Sequence, residues 1–501
     1  MEKENKVELE AESPLLVKVR ENFGYFGLTA LGYGLLFTFC LYRNWIGILV
    51  PFAVAGSFAV ATACFLKLGI AIKRDACFLA GSGVLLGFST CMTANPWIHL
   101  FNYTGFFLLF CVFVIHQMNE DRLWGIFRYL KAIGGFVLRA FFCLGYPFSH
   151  CFGFLREDRE GRYQKLIGVI CGVLAAIPIL AMVVYLLSGA DMVFAGLVKS
   201  LFFQIVLPEN LFGILGMFSF GTLMMYVFLC CACLGDQKNM DQGRNQTKET
   251  KAQGSKQAKD RKKDSTVVMT VTVLVAAVYL IFSVIQMVYL FAGLGSLPQG
   301  VTYAEYARQG FFQLLFVAFF NLLLVLWCLG GYRGSWGLRV VLSVICGCTF
   351  VMIASAFYRM CLYVKAYQLT FLRVLVLWFL ALLIVWMAGV TVYVYRETFG
   401  LFRFFLVAIT CFYLVLSFAR PDSLIARYNI KALENGQETD LYYMTHMLSA
   451  DAAVELEKLK GMDGVARDWV EDYFEEIEDS YRDASWRQWN ASYEVAIRLR
   501  N

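Results

Sequence analysis

The chain has 501 residues, 59% of them hydrophobic and 16% charged, with a mean hydropathy of +0.60 and a net charge of +6. Soluble globular proteins carry about 25% charged residues, so no water-soluble fold can hide this much apolar surface, and a soluble enzyme is excluded. Residues 421–501 hold 17 acidic and 9 basic residues, and the net +14 left to the first 420 lies in loops beside apolar runs. There it serves as topology signal and not as a nucleic-acid footprint.

Residues 1–22 are mixed in charge and lack a cleavage site, so they read as a cytoplasmic segment ahead of an uncleaved first span. Eleven apolar runs then read as transmembrane helices, because a backbone in hydrocarbon must satisfy its own hydrogen bonds. Residues 23–117 hold four of them, Phe23–Tyr42, Ile46–Leu66, Cys77–Ala94 and Trp97–Gln117. Residues 166–234 hold Leu166–Ser188 and Leu211–Leu234. The last five, within 266–418, are Thr266–Gly293, Gly310–Gly330, Val340–Tyr358, Phe371–Tyr395 and Leu401–Phe418.

Lys and Arg counts between these runs alternate from the N-terminus as 4, 1, 3, 0, 8, 1, 9 and 1, which places the N-terminus inside. The last three gaps hold 2, 2 and 1 and decide nothing. Eleven crossings then put residues 419–501 outside.

Within 118–165, Ile133–Leu155 is apolar but broken by Arg139 and Pro147, and reads as a cytoplasmic interfacial helix. Met192–Leu207 carries Lys199, is too short to span upright, and is expected on the outer interface. Residues 235–265 have 9 basic and 5 acidic residues and no apolar anchor, the composition of a disordered cytoplasmic linker. Near the C-terminus, Trp469, Val470, Tyr473, Phe474, Ile477 and Tyr481 recur at helical spacing among acidic residues. Residues 419–501 therefore read as a soluble helical domain whose aromatic face packs on its neighbours. The fold class expected is an all-α polytopic bundle of about eleven spans with this small domain attached.

Enzyme and metal signatures are missing. The sixteen cysteines sit mostly in apolar runs, and neither Cys230-Cys231-Ala-Cys233 nor Cys346-Gly-Cys348 has a second ligand pair for zinc. His99, His116, His150 and His446 share no ligand spacing, and the glycines form no phosphate-cradling loop. No cofactor or metal is expected. Asn490-Ala-Ser492 matches a short glycosylation pattern.

The polar residues of the membrane half gather in four pieces that the topology puts on the outer face. They are Ser188–Asp191, Tyr303–Gln313, Arg359–Thr370 with Arg373, and Pro421–Asn429. Asp191, Glu305 and Asp422 stand there with Arg308, Arg359, Lys365, Arg373 and Arg427, a local net of +2. Arginine forks match carboxylates and phosphates, so Asp191, Glu305, Arg308, Arg359, Tyr363, Arg373, Asp422 and Arg427 form a candidate site for an anionic head group or solute. The alternative is a set of interfacial ion pairs with Tyr303, Tyr306, Tyr363 and Tyr367 as an aromatic belt. No charge lies near the middle of any span, against an ion-coupled transporter. Gln286, Gln313 and Asn321 suit helix glue better than a pathway.

On Ser188-Gly-Ala-Asp-Met-Val-Phe194, Tyr303-Ala-Glu-Tyr-Ala-Arg-Gln-Gly-Phe311, Ser355-Ala-Phe-Tyr-Arg-Met360, Tyr367-Gln-Leu-Thr370 and Pro421–Asn429, the chain resembles bacterial multi-pass membrane proteins grouped as domain of unknown function 4173, and the related group 4153. Asp440-Leu-Tyr-Tyr443, Leu448-Ser-Ala-Asp-Ala452 and Trp486-Arg-Gln-Trp-Asn490 are similar too. The likeness covers 166–501, and Met192 stands where the family usually has proline. It implies a bacterial cytoplasmic-membrane protein and supplies no reaction. The leading expectation is a non-enzymatic envelope component, embedded in the lipid bilayer, that engages a partner protein or an anionic lipid at its outer face. A transporter or channel subunit, and an envelope enzyme using Asp191, Glu305 or Asp422, are the alternatives.

Overall fold

The computed structural model describes residues 13–121, 124–157, 210–253, 256–288, 311–331, 336–396, 398–461 and 464–500, with part of 172–196. No strand occurs among the described residues. Among those residues, ten helical stretches are long and apolar enough to cross a membrane, so the protein is a multi-pass, all-α membrane protein.

A short helix, α1 (Pro14–Glu21), buries Leu16 and Val19, and Ser13 Oγ ahead of it donates to the Cys233 carbonyl at 2.8 Å. Four helices follow, α2 (Phe23–Leu41), α3 (Val50–Lys67), α4 (Ala76–Met92) and α5 (Pro96–Met118). With the apolar part of α8 (Leu211–Gln253) they pack around Phe26, Phe58, Phe65, Phe110 and Phe113. At 17 residues, α4 is short for a span, about 25 Å at 1.5 Å per residue. Its close fit depends on Gly87, where a Cβ would meet the Pro51 Cα of α3 at 2.8 Å.

A second group packs around Leu342, Ile345, Ile353, Met387 and Val390. It comprises α9 (Lys256–Gln286), α10 (Phe311–Gly331), α11 (Trp336–Tyr367), α12 (Phe371–Tyr395) and α13 (Leu401–Phe418). Ten of the eleven expected spans thus fall on described helices; Leu166–Ser188 lies largely outside the described residues, as does Met192–Leu207.

Three segments differ from the sequence reading. Where it is described, the stretch 235–265 is helical, since α8 continues to Gln253 and α9 starts at Lys256. Its Gln, Lys, Glu and Ala residues are good helix formers, and a membrane helix on either side supplies the nucleus. The loop expected over Arg359–Thr370 is helical to Tyr367, because no glycine or proline follows Gly347 on α11. Finally, the apolar stretch Ile126–Phe154 is long enough to cross, but it is two helices, α6 (Ile126–Phe142) and α7 (Tyr146–Glu157), parted by a 3-10 turn at Cys143–Gly145.

The contacts of this pair are with helix ends. Tyr129 stacks on Phe402 in the first turn of α13 at 3.7 Å. Phe136 meets Phe228, and His150 Nδ1 lies 3.0 Å from Tyr226 Oη, both late in the apolar part of α8. Phe154 meets Phe23, the first residue of α2. Such packing fits helices lying across one end of the bundle, here called the near end, where α1 also sits.

The C-terminal helices occupy the opposite, far end. They are α14 (Pro421–Glu434), α15 (Leu441–His446), α16 (Ala453–Leu456), α17 (Val465–Tyr481) and α18 (Ala491–Arg500). Their own core holds Ile425, Ile430, Met444, Leu456, Val470 and Phe474, with Ala94 from the α4–α5 turn. On α17 the periodic face is buried at Val470, Tyr473, Phe474 and Ile477, while Trp469 and Tyr481 lie at its edges.

With α1 and the C-terminal helices at opposite ends, the two chain termini should report opposite sides of the membrane. Alkaline phosphatase fused after residue 501 should be active and a fluorescent protein there dark. A bright C-terminal fluorescent fusion would reverse that placement.

Candidate functional site

The most polar ground on the far end is the turn between α4 and α5. Proline at the first position of α5 fixes the helix start, and Asn95 Oδ1 caps it by accepting from Trp97 N and Ile98 N at 2.9 and 3.0 Å. That leaves Asn95 Nδ2 to donate to Asp422 Oδ2 at 2.8 Å. The same carboxylate accepts from Ser449 N at 3.0 Å and Ser449 Oγ at 2.7 Å. One turn away, Asp451 accepts from Ala94 N at 2.8 Å and from Thr93 Oγ1. Asn490 Nδ2 donates to the Ile46 and Thr93 carbonyls at 3.1 and 2.9 Å, and Ser492 Oγ to the Met92 carbonyl at 2.9 Å.

Asp422, Asp451 and Asn490 are each at least 96% buried. Burial pushes both carboxyls above the ordinary range; the Ser449 bonds oppose this at Asp422, the Ser492, Thr93 and Ala94 bonds at Asp451, and the charge of Asp451 raises Asp422 further. This arrangement is a joint that holds the C-terminal helices on the bundle, with its carboxylates spent on protein donors.

Among the described residues, the expected outer-face residues stand in separate settings. Asp191 is exposed and caps its own loop, accepting from Val193 N and Phe194 N at 2.6 and 3.1 Å. Glu305 and Arg308 lie outside the described residues. Asp422 belongs to the joint, and Arg427 is exposed on α14. Arg373 lies over the Tyr363 ring at 4.5 Å and donates to the Tyr367 and Gln368 carbonyls, closing the α11–α12 turn. Asn95, Ser449, Asp451 and Asn490 were not singled out as site residues, although Ser449, Asp451 and Asn490 sit in the motifs that carried the resemblance.

Arg359 stands apart. It faces inward from α11, only 6% exposed, on the wall of a cavity of about 320 Å³ between α9, α10 and α11. Gln286, Gln313 and Arg359 are its polar wall; Val278, Phe282, Leu314, Val317 and Met352 make most of the rest. Ser355 Oγ donates to Gln286 Oε1 at 2.7 Å, and Arg359 Nη2 reaches the same oxygen at 3.5 Å. The arrangement can accept an anion at one end of an apolar slot. By contrast, Asn321 deeper in α10 donates to Thr349 Oγ1 at 3.0 Å and joins two helices.

The joint has a pH signature. A carboxylate whose folded pKa is raised contributes stability that is complete below its ordinary value, 3.8, and is lost as pH rises through the folded value. The thermal midpoint of the purified protein should therefore fall as pH rises out of the acid range. Asp451→Asn keeps an acceptor for Ala94 N and offers a donor to Thr93, so it should flatten that slope without unfolding the joint; an unchanged slope would refute the assignment. Asn490→Ala strands buried carbonyls and should cost about 2–3 kcal/mol in denaturant titration.

No curated protein and no solved structure matches the chain. The family model of a domain of unknown function, DUF4153, matches residues 80–459. The matched group is thus the related one, not 4173, and the match begins in α4, well before the stretch on which the resemblance was seen. It takes in the α4–α5 turn, Arg359, Asp422 and Asp451, and stops short of α17. Spanning about three quarters of the sequence, this match places the chain in the DUF4153 family, a domain of unknown function.

Proposed function

We propose that the protein is a non-enzymatic membrane component that holds an anionic amphiphile in the cavity between α9, α10 and α11. The observation that carries this reading is a buried guanidinium beside two side-chain amides on the wall of a largely apolar cavity near one end of the bundle. A cation inside a membrane bundle is expensive and marks function by default. Its two amide neighbours extend the polar patch, while Val278 and Phe282 give an acyl chain somewhere to lie. A phosphate or carboxylate at Arg359 gains charge-assisted bonds that a free carbonyl cannot match. On the topology that the basic loops favour, this cavity belongs to the outer face of a cell membrane.

The joint supports the same reading against an enzyme. Asp422 is committed to Asn95 and Ser449, and Asp191 is an exposed cap, so these two candidate carboxylates share no cleft. A transporter reading finds Asn321 used as glue, with no polar track beside it among the described residues.

A second reading, docking of a partner protein, is favoured by one patch. Tyr442 stacks on His446 at 4.2 Å, Trp469 meets both rings edge-on, and Tyr442 and Met447 are 55% and 68% exposed. An exposed ring cluster on a rigid base suits recognition better than packing.

The test is native mass spectrometry of the delipidated full chain titrated with phosphatidylglycerol and phosphatidylcholine. Arg359→Gln should weaken phosphatidylglycerol by about tenfold or more, the scale of a hydrogen bond to a charged group, and Arg359→Lys by less. A folded Arg359→Gln protein with unchanged affinity overturns the proposal.

A further inference from the structure

The cavity between α9, α10 and α11 meets an occupant with four polar side chains, Tyr279, Gln286, Gln313 and Arg359. Tyr279 stands seven residues before Gln286 on α9, about 10 Å along the helix, and belongs with the apolar length of the slot. Gln313 is exposed, and its amide can donate or accept, so it discriminates little. The choice among head groups therefore falls to the buried pair, Gln286 and Arg359.

A glutamine side chain ends in an acceptor and a donor of nearly equal size, and whichever faces a ligand decides what the site accepts. Here the orientation is fixed from behind. Ser355 lies one turn before Arg359 on the same face of α11; it is buried, and its Oγ donates to Gln286 Oε1 at 2.7 Å. Arg359 Nη2 reaches that oxygen at 3.5 Å. A guanidinium has only donors, so the amide end beside it is the oxygen, and the nitrogen is the end left over. Gln286 Nε2 bonds to no protein group among the described residues and is not sealed in.

With its oxygen engaged by two donors, Gln286 adds an N–H group to those of Arg359, and the buried part of the polar wall only donates. An occupant placed there must bring oxygens that accept. A phosphate or carboxylate does so. An alcohol, an amide or an ammonium turns its own O–H or N–H toward donors and leaves that bond unmade away from water, which costs affinity.

We propose that Ser355 is a positioning residue: it turns Gln286 so that Gln286 Nε2 and Arg359 form an all-donor clamp on one anionic group, which restricts the cavity to amphiphiles whose head accepts and does not donate at that point. The inference rests on the reading that the cavity holds an anionic amphiphile, and names what selects it. Ser355 is not on the cavity wall, so its effect passes through Gln286.

The test compares phosphatidylglycerol with diacylglycerol of the same chains, whose head is a neutral hydroxyl, by native mass spectrometry of the delipidated full chain. The wild type should prefer phosphatidylglycerol by about tenfold or more. Ser355→Ala frees the amide to turn its oxygen forward, so phosphatidylglycerol should weaken by about tenfold while diacylglycerol holds or tightens. Ser355→Thr keeps the hydroxyl and should restore the wild-type ratio. Should that variant not fold, Gln286→Met removes the amide at similar length; it should narrow the ratio as Ser355→Ala does, and adding Ser355→Ala to it should change nothing further. An unchanged ratio in folded Ser355→Ala, an equal loss of both lipids, or a further loss in the double variant overturns the proposal. Arg359→Gln in the same titration separates the two levels. A ratio that depends on Arg359 and not on Ser355 sinks this inference alone, whereas binding indifferent to Arg359 sinks the underlying reading and this inference with it.

Discussion

The far-end turns of the bundle need partners that the membrane cannot supply, and the C-terminal helices supply them. A helix leaves unsatisfied backbone groups at each end, and here they are met by side chains from more than 300 residues away. Asp451 takes the Ala94 amide, Asn490 the Ile46 and Thr93 carbonyls, Arg487 the Phe39 carbonyl at 3.1 Å and Gln488 the Arg43 carbonyl at 2.7 Å. The non-glycine residues with positive φ among those described, Arg43, Gln368 and Arg420, all lie at this end. Each such conformation costs of order 1–2 kcal/mol. They persist because the domain fixes the exits: Gln488 on Arg43, the Gln437–Glu438 segment on Gln368, and α14 beginning directly after Arg420.

Hydropathy made the spans legible because a hydrocarbon environment leaves the backbone a single choice, and ten of the eleven runs lie on described helices. Boundaries were less legible where charge enters a helix. Arg359 and Lys365 looked like loop residues, yet α11 continues past both because nothing in the backbone stops it before Gln368. Arg359 is thereby an interior residue and not a surface one. The joint was harder still. Asp422 looked like a partner for arginine, but its donors, Asn95 and Ser449, are uncharged and one of them is 327 residues away. Counting charges within a local piece cannot find a carboxylate satisfied by an asparagine and a serine. The motifs around Ser449, Asp451 and Asn490 carried the likeness to a family and gave no hint that they met.

Inside the bundle, uncharged pairs do the joining. Asn102 Oδ1 accepts from Tyr413 Oη at 2.7 Å and Ser417 Oγ at 2.9 Å, its Nδ2 donates to Thr90 Oγ1 at 3.0 Å, and Trp378 Nε1 donates to the Phe412 carbonyl at 2.9 Å. Such contacts are worth a fraction of a kcal/mol to about 2 kcal/mol in membranes, enough to set register without the desolvation penalty of an ion pair. Charge is kept to the ends, as Arg359 toward one and the Asp75–Arg403–Asp121–His116 chain at the other. The two ends are therefore chemically distinct, one with a buried cation beside amides and the other with an ion chain.

Three helices carry polar contacts at both ends. The α4–α5 hairpin holds Thr93–Asn95 in the joint, and its other extremities present Asp75 and His116; α13 meets Ser89 through Ser417 at the far end and both aspartates through Arg403 at the near end. A helix transmits an axial displacement along its whole length, because its backbone bonds resist stretching. At 23 residues α5 is about 35 Å long, and a shift of its Asn95 cap moves His116 by the same amount. The ion chain tolerates little of that, since a guanidinium fork bonds two carboxylates only within a few tenths of an ångström. The far-end joint and the near-end ion chain are thus anchored on the same three helices.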